Sequence, residues 1–155
     1  MSVLRVLFLC TGNSARSQMA EALLRHLSGG RIDVHSAGTH PRSEVHPMAK
    51  VTLASRFNLS SDGLFPKTLE QFVGQPFDYV ITVCDNAAES CPVFPGGTER
   101  VHWSLTDPAA VEGTAEEQQR AFDRSATDIA RRLRIWLSLP SIAQRLAAGT
   151  SGEPR

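Results

Sequence analysis

The sequence predicts an α/β fold, a three-layer sandwich around a four-stranded parallel sheet, and three observations carry that prediction. Val3 to Leu9 (VLRVLFL) is apolar except for Arg5, and it stops at Cys10, Gly12 and Asn13 before a helical pattern opens at Ser14. Phe77 to Val83 (FDYVITV) repeats the plan and is closed at once by Cys84. Short apolar runs bounded by turn signals suit strands buried on both faces. Through the rest of the chain, strand patterns alternate with helical ones, which is the order that builds parallel sheets.

Taken in order, the first strand runs Val3 to Leu9. The helix from Ser14 carries Ala15, Met19, Ala22, Leu23 and Leu27 on one stripe and ends at Gly29-Gly30, a strong C-terminal signal. Ile32 to Ser36 reads as the second strand, running into Ala37-Gly38-Thr39 and the turn-rich His40-Pro41-Arg42. Pro47 suits the first turn of a helix with Met48, Val51, Leu53, Ala54 and Phe57 as apolar positions. Ser60 to Pro66 is loop-like, and Thr68 to Val73 reads as a short helix capped by Thr68.

After the Phe77–Val83 strand comes CDNAAESCPVFP, where Asp85 or Asn86 can cap a single turn ending at Cys91, before Pro92. Arg100 to Trp103 is the last strand. Thr114 and Glu117 form a capping box ahead of a long helix with the stripe Phe122, Ala126, Ile129, Leu133 and Trp136. Pro140 is read as its stop. The expected organisation is one catalytic domain over residues 1–140, with a flavodoxin-like sheet, and a C-terminal tail over 141–155 that carries Ile142 and Leu146 and frays at GTSGEPR.

A chain of 155 residues buries roughly 70% of its unfolded surface as one domain. Sixteen basic residues cancel sixteen acidic ones, which argues against nucleic acid or a membrane surface as partner. The N-terminal apolar run is too short for a signal peptide, and nothing approaches ~18 apolar residues. These features predict a cytoplasmic protein, in which the three cysteines are catalytic rather than structural.

The loop from Cys10 to Arg16 is a cysteine, five residues, then an arginine. Gly12 removes a side chain where the backbone must turn, and Asn13 tolerates φ > 0 better than most residues. Such a turn aims backbone N–H groups of Thr11, Gly12, Asn13, Ser14, Ala15 and Arg16 at one centre, and the following helix adds its positive end. The guanidinium of Arg16 matches a tetrahedral oxyanion. Cys10 lies at the bottom of this nest. A free thiol with a pKa near ~8.5 is only about 3% thiolate at pH 7, whereas a nest that lowered it to ~6 would give roughly 90%.

With those residues on the page, CTGNSARSQMAE resembles the active-site loop of the low-molecular-weight protein tyrosine phosphatases, and more closely that of the arsenate reductases built on the same fold and recycled by thioredoxin. The resemblance covers roughly Val3 to Leu139. It implies that Cys10 attacks arsenate, that Ser17 hydrogen-bonds its thiolate, and that Asp107, in HWSLTDP, is the general acid for the leaving oxygen. It also maps the reductase thiol triad onto Cys10, Cys84 and Cys91. Cys84 attacks Cys10 and expels arsenite, and Cys91 then takes over Cys84 and presents a disulfide to thioredoxin or another dithiol donor.

The residues themselves leave other readings of Cys84 and Cys91 open. Six residues separate them, which is no zinc-ligand spacing, and a coincidental buried pair is the plain alternative. Continuous helix would hold their Cα atoms about 10.5 Å apart, at ~1.5 Å per residue. A disulfide tolerates at most ~7 Å, so the segment must loop back or unwind to form one. Some family members bind potassium beside the loop, and Asn13, Glu21 and Ser36 match ligands there, although SSDGLFPK departs from the usual polar segment. No other cofactor is implied. Ala109 and Ala110 stand where the tyrosine phosphatases carry a tyrosine pair, and the only tyrosine is Tyr79. Histidines 26, 35, 40, 46 and 102 form no cluster in the sequence. A monomeric arsenate reductase is expected, with a tyrosine phosphatase or a non-catalytic oxyanion or redox sensor as alternatives.

Overall fold

The computed structural model of the protein describes residues 3–89 and 91–151. Four strands, β1 (Leu4–Cys10), β2 (Ile32–Gly38), β3 (Tyr79–Thr82) and β4 (Glu99–His102), form a parallel sheet in the order β2-β1-β3-β4. Five helices accompany them: α1 (Arg16–Leu27), α2 (Pro47–Phe57), α3 (Asp85–Glu89), α4 (Ala115–Ser138) and α5 (Pro140–Ser151). The predicted strands stand, with ends shifted by one or two residues. Thr68 to Val73 reduces to a 3-10 turn at Leu69–Gln71, capped by the Thr68 hydroxyl as expected.

Alternation along β1 sorts its side chains onto two faces, and the two faces are covered unequally. Val6, Phe8 and Cys10 join one core with residues of α1, α2, α4 and α5. Leu7 and Leu9 join a smaller one with Leu69, Phe72, Phe77, Val80, Ala87 and Phe94. The sandwich therefore has its three layers, but every long helix lies on one side. The 3-10 turn, α3 and the chain around Phe94 close the other.

The C-terminal segment corrects the sequence reading. Pro140 ends nothing: Leu139 turns the chain out of α4 with φ −61° and ψ 136°, and Pro140 is the first residue of α5. Proline is preorganised for that position, where its missing N–H has no partner to lose. Ile142 and Leu146, one turn apart, are 1% and 8% exposed in the main core, so the expected tail is part of the domain. The end of GTSGEPR, residues 152–155, lies outside the described residues, as does Ser90 within the turn expected to end at Cys91.

Parallel register carries the chemistry to one edge. Cys10 pairs with Gly38 at the end of β1, and Leu9 pairs with Thr82 at the end of β3. Cys84 follows two residues later, so the carboxyl ends of two adjacent central strands each deliver a thiol. Open α/β sheets place their ligands at this edge.

Candidate active site

The loop after β1 is held from outside by its carbonyls. Those of Cys10, Thr11, Gly12 and Ser14 accept from the backbone N–H groups of Thr39, His40, Arg42 and His46, at 3.1, 2.9, 2.9 and 2.8 Å. The carbonyl of Asn13 accepts from Gln18 Nε2 at 3.0 Å. No peptide among the described residues is cis, so each N–H points away from the preceding carbonyl. Five outward carbonyls thus leave the N–H groups of residues 11 to 15 turned inward, which is the anion nest the spacing predicts. The positive φ falls on Asn13, at 49°, and not on Gly12. The crowded glycine is Gly38, where an added Cβ would lie 2.5 Å from the Thr11 carbonyl oxygen.

Helix α1 begins at Arg16 with no side chain capping its first turn, so its own N–H groups add to the nest. The Arg16 guanidinium is fixed by the carbonyls of Leu105 at 2.9 Å and Val83 at 3.4 Å. Its other nitrogen lies 3.8 Å from Asp107 Oδ2. Asp107 caps the 3-10 turn Pro108–Ala110 through the Ala109 N–H, which aims the carboxyl over the loop while leaving it open to solvent. Together these groups line a cavity of about 610 Å³ containing Cys10 to Arg16, Cys84, Asp85, Asp107 and Ala109. His40 and Arg42 line it as well. The sequence reading passed over that pair, whose one signal was two basic residues in the turn after β2.

The two strand-end thiols are coupled. The Cys84 thiol is drawn down to about 5, first by its hydrogen bond with Cys10, and further by Thr11 Oγ1 at 3.2 Å, the Ala87 N–H and the charge of Arg16. Cys10 is pushed up by the same contact with Cys84 and by burial, against Arg16 and the Thr11 N–H. The nest therefore does not make Cys10 an independent thiolate. The pair shares one negative charge, and in this arrangement it sits on Cys84. Cys91 is free, partly buried against the smaller core, and does not line the cavity.

The arrangement is that of an oxyanion-binding nucleophile site, and comparison with known proteins gives its family. Residues 5–148 match the low molecular weight phosphotyrosine protein phosphatase family. The chain belongs to this family. An arsenate reductase of Halalkalibacterium halodurans is 40% identical over 131 residues, covering 84% of this chain and 93% of that protein. The solved thioredoxin-dependent arsenate reductase of Corynebacterium glutamicum is 34% identical, with a TM-score of 0.60, over 86% of this chain and 63% of that one. An arsenate reductase solved in its phosphate-binding state is 27% identical, with a TM-score of 0.68, over 87% of this chain and 97% of that one.

Two family expectations meet different surroundings here. The bond found at Ser17 comes from Asn13 Nδ2 at 2.8 Å, which leaves the Ser17 proton to be donated. The potassium set does not offer a cation its oxygens. Asn13 turns its amide nitrogen toward Ser36, at 3.0 Å, and its amide oxygen already accepts from Gln18 and from the Lys67 N–H. Glu21 Oε1 accepts the Ser36 hydroxyl at 2.6 Å and lies 3.5 Å from Lys67 Nζ. Lys67, 9% exposed, also donates to the Phe65 carbonyl at 2.9 Å and stands 4.7 Å from the Phe65 ring centre. The departure noted in SSDGLFPK thus brings an ammonium of the chain itself to Glu21.

Proposed function

We propose that this protein is an arsenate reductase that passes two electrons from Cys10 and Cys84, through Cys91, to arsenate, and is recycled by thioredoxin or a similar dithiol. The observation that carries the reading is the pairing of Cys10 with Cys84 above the nest. A phosphatase needs one thiol there, and a second one sharing its charge is what a reductase uses.

The steps follow from that pair. Arsenate enters the nest, with Arg16 on its oxygens. A proton shifts from Cys10 to Cys84, and the Cys10 thiolate attacks arsenic while Asp107 protonates the departing oxygen. Thr11, the Ala87 N–H and Arg16 return Cys84 to its thiolate. That thiolate attacks Cys10 Sγ, an S–S bond forms, and the S–As bond breaks with its electron pair left on arsenic as arsenite. Cys91 then exchanges into the disulfide, which a dithiol donor reduces.

The nucleophile, nest, acid and all three thiols come from one chain, which supports a monomer. Free thiols suit a reducing compartment, hence the cytoplasm, and among the described residues no helix is long and apolar enough to cross a membrane. The Lys67 ammonium supports independence from potassium.

The test is arsenite release with thioredoxin, thioredoxin reductase and NADPH, beside phosphate release from an aryl phosphate, in potassium and in sodium buffer. Arsenite should form at equal rates in both salts. Cys10→Ser should abolish it, and Asp107→Asn should slow the first step by roughly 10²–10⁴-fold. Rapid aryl phosphate hydrolysis without arsenite would overturn the reductase reading, and stimulation by potassium would overturn the role given to Lys67.

A further inference from the structure

The edge strand β4 grips the thiol-bearing segment at both ends. Arg100 and His102 are two residues apart and so point to the same side of the strand, while Val101 between them packs on the main core. Arg100 Nη2 donates to the carbonyls of Cys91 and Pro92 at 2.6 and 2.8 Å. His102 Nε2 lies 2.9 Å from Asp85 Oδ1, and its Nδ1 lies 2.7 Å from Thr82 Oγ1. Ser104 Oγ donates to the same Asp85 oxygen at 3.3 Å. The chain is therefore tied one residue after Cys84 and again at Cys91 itself.

We infer that Arg100 and His102 are positioning residues for the second disulfide exchange, holding Asp85 and Cys91 on neighbouring points of β4 so that Cys91 reaches Cys84 quickly. The inference rests on the reductase reading. The two grips stand roughly 6.6 Å apart along the strand. That is within the ~7 Å between Cα atoms that a disulfide allows, where an unbroken helix would hold the cysteines about 10.5 Å apart. With both ends gathered on one strand, only the short stretch between them has to change conformation, and the effective concentration of Cys91 at Cys84 rises. In the step served, the Cys91 thiolate attacks Cys84 Sγ of the Cys10–Cys84 disulfide. The Cys84–Cys91 bond forms, the Cys10–Cys84 bond breaks, and Cys10 leaves with the electron pair as a thiolate. The proton of Cys91 goes to solvent, and no net electrons move. Neither Arg100 nor His102 touches a sulfur.

The test mixes reduced protein with arsenate without a dithiol donor, quenches with acid at intervals, and maps disulfides by mass spectrometry. Wild type, Arg100→Met, Arg100→Lys and His102→Phe should form the Cys10–Cys84 bond at one common rate, which also reports intact folding. Arg100→Met and His102→Phe should convert it to Cys84–Cys91 about tenfold more slowly and accumulate the first disulfide. Arg100→Lys, which keeps a cationic donor, should recover most of the rate. Unchanged conversion in both variants, or equal slowing of both steps, would overturn the inference alone. Absence of either disulfide in wild type would overturn the reductase reading and this inference with it.

Discussion

The residue that departs most from expectation is Cys84. The loop predicts a low pKa for Cys10 alone, yet the structure draws Cys84 down to about 5 and pushes Cys10 up. Thiolate absorbance should therefore persist as pH falls through neutrality and disappear near pH 5. Thr11→Val removes a hydrogen bond to Cys84 and should move that midpoint upward, while Cys10→Ser, which removes the largest contribution, should move it further. A midpoint unchanged in both variants would show that Thr11 and Cys10 do not hold the charge. None of this is legible in the sequence, because Thr11 and Cys84 are 73 positions apart and meet only through strand pairing. Cys10, Arg16 and the nest are legible because a single turn makes them. Lys67 is hidden for another reason: FPK reads as surface chain until its ammonium is seen against Glu21.

At the scale of elements, α2 depends on an unusual cap. His46 Nδ1 accepts the Met48 N–H at 3.1 Å, and its ring lies 4.5 Å from that of Phe122. A protonated ring cannot accept, and burial, then the charge of Arg42, lowers the His46 pKa below its usual 6.5. The folded state thus prefers neutral His46, so its contribution is complete above pH 6.5 and is lost as pH falls through the depressed value. Urea midpoints measured from pH 7.5 to 5 should show this loss, and His46→Asn, which keeps an acceptor but does not titrate, should flatten it. Equal pH dependence in the variant would assign the loss to other groups. Pro47 announces the helix start in the sequence, but histidine as cap does not, since serine, threonine, aspartate and asparagine dominate that position. Thr68 and the Thr114–Glu117 box, which obey the rule, read correctly.

Over the whole molecule, the sequence shows the sheet clearly and its uneven cover poorly. Apolar runs identify buried strands, but nothing local says that α1, α2, α4 and α5 all pack on one face. The Ile142–Leu146 spacing is the signal that α5 belongs there, and Pro140 masks it. Ile142→Ala should lower stability by about 2–5 kcal/mol, read by urea unfolding, while the thiolate titration stays intact. A loss under 1 kcal/mol would mean that α5 is only loosely attached. The strand order β2-β1-β3-β4 also divides labour along the seam where Val6 to Leu9 pair with Tyr79 to Thr82. On one side β1 and β2 frame recognition of the anion. On the other, β3 and β4 carry the thiol and the grips that dispose of electrons. Recognition and redox chemistry can then diverge separately, and a lineage can change its reaction type by rewriting one edge of the sheet while inheriting the other whole.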